Sequence, residues 1–194
     1  MALGYSGIRY EVREVFLKDK PPAMLAASSK GTVPVLIVED GQVIDESADI
    51  MRWALALNDP DGWWRDELAE DSENLLDEND FSFKPQLDRY KYWERYPQQT
   101  RLHYREQGQS FLRKLEALLS LNPFLLDDKL GFADVAIFPF VRQFAFADIN
   151  WFEQAPYPKL KSWLKSLLSS PLFLSVMKKR PAWQEGDQPL FWPA

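Results

Sequence analysis

The sequence has no cysteine and a single histidine, His103. The first absence removes thiol nucleophiles, thiolate metal sites and disulfides together, and leaves the redox compartment undetermined. The second leaves no ligand set for zinc and no Cys/His pair. His103 lies in a charged segment and reads as a surface or packing residue. There is no Gly-x-Gly-x-x-Gly, no phosphate-cradling loop and no Gly-x-Ser-x-Gly elbow. Long apolar runs are missing too: the longest candidate, residues 135–141, is broken by Pro139 and falls short of the roughly 18 residues of a membrane helix. Residues 1–7 carry neither the basic region nor the apolar stretch of a secretory signal, so the expected location is the cytoplasm. Positive charge is outnumbered, 23 Lys plus Arg against 29 Asp plus Glu for a net charge of -6. Such a field repels phosphate backbones and anionic lipid, and neither nucleic acid nor a membrane is an expected partner.

What the sequence does have is apolar bulk. Hydrophobic residues make up 46% of its 194 residues, with 8 Trp and 13 Phe, enough for a buried core. Residues 1–58 alternate in short units. Residues 1–6 read as the end of a helix, with Gly7 in the left-handed position that closes it. Residues 10–16 alternate as a half-buried strand, and Pro21-Pro22 opens a short helix over residues 23–28. Residues 33–39 are β-branched and apolar, Asp40-Gly41 is a hairpin turn, and residues 42–45 return. From Ser47 the period changes: Ile50, Trp53, Ala54 and Leu57 share one face of an amphipathic helix.

Residues 58–62 collect turn formers, and residues 66–80 hold eight carboxylates and no base. Residues 59–80 are therefore expected to be an acidic linker and the start of a helical domain that continues over residues 81–194, with no ligand spacing for a metal. Phe83, Leu87 and Tyr90, then Phe111, Leu115, Leu118 and Leu119, keep helical spacing. Between them, residues 84–114 carry eight bases against three acids, a solvated face. Residues 134–146 are apolar nearly all round and predict a central helix, and residues 158–168 and 171–177 predict two more, each opened by proline.

One constellation points to chemistry. Val33-Pro34 opens a strand, and Glu46-Ser47 stands twelve residues further on at the mouth of a helix. A cis bond before Pro34 turns the Val33 N–H and C=O outward, where an extended peptide can pair with them as an added strand. The helix mouth offers unpaired amides and a positive dipole end to a carboxylate, and Glu46 can take an ammonium. A small peptide with an α-amino acid head suits both devices. The plain alternative is that Glu46 and Ser47 cap the helix and Pro34 shapes a loop.

Leu17-Lys18-Asp19-Lys20-Pro21, Gly31-Thr32-Val33-Pro34-Val35-Leu36, Asp45-Glu46-Ser47 and Ala133-Asp134-Val135-Ala136-Ile137-Phe138-Pro139-Phe140 resemble the glutathione S-transferase family, particularly its omega-like, cysteine-type bacterial members. The resemblance runs in order from Met1 to about Trp183. It implies α/β plus all-α architecture: an incomplete thioredoxin-like domain, then an all-helical domain. It also implies the family's roles for named residues: Val33 would pair with the cysteinyl backbone of glutathione beside cis Pro34, Glu46 and Ser47 would hold the γ-glutamyl head, and Lys20 would approach the glycine carboxylate. Asp134 would form half of a capping box, with Gly131 where the family has Ser or Thr. The family's first strand and the start of its first helix, which carries the Cys, Ser or Tyr at the sulfur, would precede Met1. The implied activity is glutathione conjugation to a small electrophile, or thiol exchange on a mixed disulfide, by a homodimer without metal. The chain as given is expected to be inactive, and the rival reading is a non-catalytic interaction module of the same fold.

Overall fold

Residues 1–193 are described by a computed structural model in which the chain divides into two units, Met1–Asp61 with the residues from Pro171 onward, and Gly62–Ser170. The last helix and the tail, which the sequence pattern groups with the helical domain, thus join the N-terminal residues.

In the first unit α1 (Ala2–Tyr5) ends at Gly7, whose φ of 67° is the left-handed conformation that glycine adopts without strain. β1 (Tyr10–Glu11) follows, then α2 (Pro22–Ala27) with proline in its first turn, where no N–H is needed. β2 (Leu36–Ile37) and β3 (Val43–Ile44) form the expected hairpin, closed at Gly41 with φ 89°. α3 (Ser47–Leu57) buries Ile50, Ala54 and Leu55, while Leu57 is exposed. The ladders are shorter than the patterns over residues 10–16, 33–39 and 42–45. A ladder extends only where a neighbour completes its hydrogen bonds, and among the described residues β1 and β2 each have a neighbour on one edge alone. For β1 that neighbour is the tail: β4 (Phe191–Trp192) pairs antiparallel with it, Tyr10 opposite Trp192. Arg9 stacks on Phe191, Arg13 on Trp183 and Arg180 on Trp192, with 4.5, 4.6 and 5.1 Å from guanidinium carbon to ring centre.

In the second unit the acidic stretch is helical. A 3₁₀ turn (Asp66–Leu68) leads into α4 (Ala69–Glu78), a π-helical turn (Asn79–Phe83) and α5 (Lys84–Lys91). Leu75, Leu76, Phe83, Leu87 and Tyr90 turn inward, which leaves the carboxylates to water. α6 (Arg101–Leu121) is capped by the Thr100 hydroxyl, which accepts the His103 N–H at 3.1 Å. α7 (Phe132–Ala147) runs through the core, its Ile137, Phe138, Val141 and Phe144 inaccessible to solvent. The rings of Phe83, Phe111, Tyr90 and Phe144 meet with centroids 4.8 to 5.2 Å apart. Gly108 lets α6 approach them, since a Cβ there would sit 2.5 Å from the Phe144 ring. α8 (Ile149–Gln154) and α9 (Pro158–Leu168) complete the unit; α10 (Pro171–Val176) belongs to the first.

Asp134 ties three segments of the second unit together. Its Oδ1 accepts the Leu125 N–H at 3.0 Å and the Trp163 indole N–H at 2.8 Å, and its Oδ2 accepts the Gly131 N–H at 3.1 Å. Gly131 has no side chain to return the bond, so the box is half formed. The reason lies in Arg65: a Cβ on Gly131 would come within 2.5 Å of its guanidinium, which is held by the carbonyls of Gly62 and Lys129. Burial pushes the Asp134 carboxyl up to about 6, against the opposing pull of its three donors and Arg65. Between the ordinary value of 3.8 and about 6 the folded state holds a proton that the unfolded chain has lost. The contribution of this group is therefore complete below the lower value and declines as pH rises through the higher one. Asp134→Ala should cost about 2 to 4 kcal/mol, because three buried donors lose their acceptor. Denaturant midpoints of variant and parent should differ more at pH 4.5 than at pH 7.5. An equal or larger gap at pH 7.5 would contradict the burial argument.

Candidate functional site

The first unit contains a cleft of about 520 Å³, lined on one side by residues 10–15 and on the other by residues 33–37, with Pro21, Met24 and Ile50 as its floor and Trp183 of the tail at its rim. The backbone explains why it is open. Val12 donates to Leu190, and the Glu14 carbonyl accepts from Trp183, so the even residues of this strand face the tail. Val38 donates to Gln42, in register with the pair Leu36 and Ile44, so the even residues of the other strand face β3. Alternation aims the N–H and C=O groups of Glu11 and Arg13, and of Val35 and Ile37, away from those partners. The exposed apolar side chains of Val33 and Ile37, 46% and 59% accessible, belong to the same edge.

Val33 and Pro34 stand in the lining of this cleft, and the bond between them is cis. Among the described residues nothing bonds to the Val33 backbone, which leaves its N–H and C=O open to a ligand. Glu46 and Ser47 are outside the lining, at the start of α3. The Glu46 carbonyl accepts the Ile50 N–H, but its side chain does not cap the helix. The N–H groups of Ser47, Ala48 and Asp49 and the Ser47 hydroxyl consequently have no partner among the described residues. With the dipole behind them they form a seat for a carboxylate. Lys20, half-buried before α2, is in neither group. Asp134 belongs to the second unit and serves structure.

Sequence reasoning missed the cluster beside Glu46. Lys30 donates to Asp45 Oδ1 at 2.9 Å and to Glu46 Oε1 at 2.7 Å, and the buried Ser28 hydroxyl donates to Asp45 Oδ2 at 2.7 Å. The Ser28 hydroxyl and then Lys30 hold the Asp45 carboxyl below its ordinary range. Lys30-Gly31-Thr32 carries only a turn signal, and nothing local announces a partner fifteen residues away. Trp183 was equally hidden, since it reaches the cleft through tail pairing. Tyr5 is committed elsewhere: its hydroxyl donates to Asp59 at 2.8 Å and accepts the Asp61 N–H at 2.7 Å. Burial, with the carboxylates of Asp59 and Asp61, pushes it up to about 12. No group of three or more metal-ligating side chains is found among the described residues, and no helix among them is long and apolar enough to cross a membrane.

Comparison with known proteins identifies the family and the fold. Residues 1–57 match the family model described as the N-terminal domain of glutathione S-transferase, and residues 64–166 match that of its C-terminal domain. A probable glutathione S-transferase of Nicotiana tabacum, parA, is 26% identical over 198 residues, covering 93% of this chain and 82% of its own. Glutathione S-transferase 3 of Glycine max is 26% identical over 183 residues, 85% of this chain and 76% of its own. Among solved structures, a glutathione transferase of Phanerochaete chrysosporium in complex with oxidized glutathione superposes with a TM-score of 0.76 at 23% identity, covering 90% of this chain and 86% of the other. One from Pseudomonas fluorescens gives 0.71 at 24% identity, with 88% of each chain covered. These two likenesses establish the fold, a thioredoxin-like domain with a helical one after it. With one family model spanning more than half of its length and the other most of the remainder, the chain belongs to the glutathione S-transferase family.

Proposed function

We propose that the first unit binds glutathione, with its γ-glutamyl carboxylate on the N–H groups of Ser47, Ala48 and Asp49 and the Ser47 hydroxyl. Glu46 takes the ammonium, the Val33 backbone pairs with the cysteinyl residue beside Pro34, and Lys20 meets the glycine carboxylate. The observation that carries this is the unpartnered first turn of an eleven-residue helix next to an acid, in the same unit as an unpaired strand residue. A carboxylate and an ammonium on one carbon, followed by an extended backbone, match that set of groups.

The reaction is conjugation: the glutathione thiolate attacks an electrophilic carbon, its lone pair forms the C–S bond, and the leaving group departs with the displaced electron pair. The thiol proton passes to solvent. In a cysteine-type, omega-like member the alternative is exchange, in which a protein thiolate attacks a glutathione mixed disulfide and releases the other thiolate. Either way, a group beside the sulfur must favour the thiolate, because contacts through Ser47 and Val33 hold ground state and transition state alike. Tyr5, bonded to Asp59, is not that group. We assign the group to a segment that adds to the cleft as a strand and satisfies the backbone of Glu11, Arg13, Val35 and Ile37. The family reading also carries a cytoplasmic homodimer as part of this proposal.

Two measurements bear on this. Ser47→Ala should weaken glutathione by about 1 to 3 kcal/mol, the range for a hydrogen bond to a charged group. Equal affinity in calorimetric titrations of variant and parent would remove Ser47 from the site. The 194-residue chain should not accelerate conjugation of an aryl halide above the solution rate, and a chain given such a strand and a first helix turn bearing a thiol or hydroxyl should. Turnover by the shorter chain would contradict the assignment of the missing group. Binding without turnover by the extended chain would favour the non-catalytic reading.

A further inference from the structure

Three charged side chains share one hydrogen-bonded cluster at the mouth of α3. Asp45 is anchored from below by Ser28, which is 4% exposed, whereas the Glu46 side chain is 62% exposed and Lys30 is its one partner among the described residues. Lys30 bridges both carboxylates, so the cluster has two negative charges and one positive charge. We propose that Lys30 occupies, in the unliganded protein, the place at Glu46 that the α-ammonium of the γ-glutamyl group takes, and withdraws to Asp45 when the ligand binds. The inference rests on the glutathione reading above and adds to it a positioning residue that sets how strongly the site prefers a ligand bearing an α-amino group.

The chemistry of the exchange is balanced. A lysine ammonium and a ligand α-ammonium each offer three N–H donors and one positive charge, so either can serve Glu46. Asp45 keeps its bond from Ser28 and retains Lys30 as counter-ion after Glu46 has changed partner. The bound cluster then holds two carboxylates and two ammonium groups. A ligand that brings the carboxylate without the ammonium leaves Lys30 on Glu46 and forfeits little. Lys30 therefore narrows the difference between the two ligands. Its effect on the ligand carboxylate at the amides of Ser47 to Asp49 is common to both and cancels in their ratio. The pair is exposed, so the effect is a few-fold and sensitive to salt.

The test follows the backbone amide resonances of Ser47, Ala48 and Asp49 while the 194-residue chain is titrated with glutathione or with its glutaryl analogue, which lacks the α-amino group. In Lys30→Met the preference for glutathione over the analogue should rise about two- to fivefold, Lys30→Arg should restore the parental ratio, and the rise should shrink in ~1 M salt. A ratio unchanged in Lys30→Met, with both ligands still moving the three resonances, would overturn the role of Lys30 and leave the glutathione reading standing. If glutathione moves none of them in parent or variants, the reading falls and the proposal falls with it.

Discussion

Backbone N–H and C=O groups need partners wherever water is kept from them, and in the first unit this requirement decides which groups stay open. β1 satisfies one edge with the C-terminal tail, and β2 satisfies one edge with β3. The other two edges face the cleft, and the first turn of α3 has three amides with no acceptor among the described residues. These unmet groups are what a peptide ligand or an inserted strand can use. The tail is thus more than a trailing segment, since its pairing holds residues 10–14 in the extended conformation that defines one wall.

The second unit meets the same requirement internally. Its long helices satisfy themselves, and the irregular loop over residues 122–131 is fastened by Asp134, whose carboxylate gathers donors from Leu125, Gly131 and Trp163. A buried carboxylate is a costly fastener, and burial displaces its protonation equilibrium upward despite its three donors. It is tolerated because each donor would otherwise be buried without an acceptor. Around it the aromatic cluster of α5, α6 and α7 supplies the apolar burial that makes the unit stable.

Charge at the α3 mouth has to be read as a cluster. Glu46 alone is an obvious ammonium receptor, yet in the folded chain it already has a cation, Lys30, shared with an Asp45 that Ser28 holds in place. On the proposal above, an amino acid head would bind there by exchange of cations, its strength depending on where the displaced one goes.

Local pattern was enough for much of this protein. The period change at Ser47, the Asp40-Gly41 hairpin, the left-handed Gly7 and the apolar helix after Gly131 were legible because each depends on near neighbours in sequence, and the motifs around Val33, Glu46 and Asp134 identified the family. The absence of cysteine likewise excluded a thiol nucleophile within these residues without any coordinates. Tertiary structure decided the rest. The strands at residues 10–16 and 33–39 were read as longer than their ladders because alternation reports which face is apolar, whereas a ladder depends on what lies alongside. Acidic residues 66–80 looked like a linker because charge dominates their composition, while Leu75, Leu76 and Phe83 needed the packed faces of other helices to make them core. Pairing of the tail with β1, the reach of Lys30 to Asp45 and Glu46, and the guanidinium of Arg65 against Gly131 join residues remote in sequence, and such contacts leave no periodicity to read.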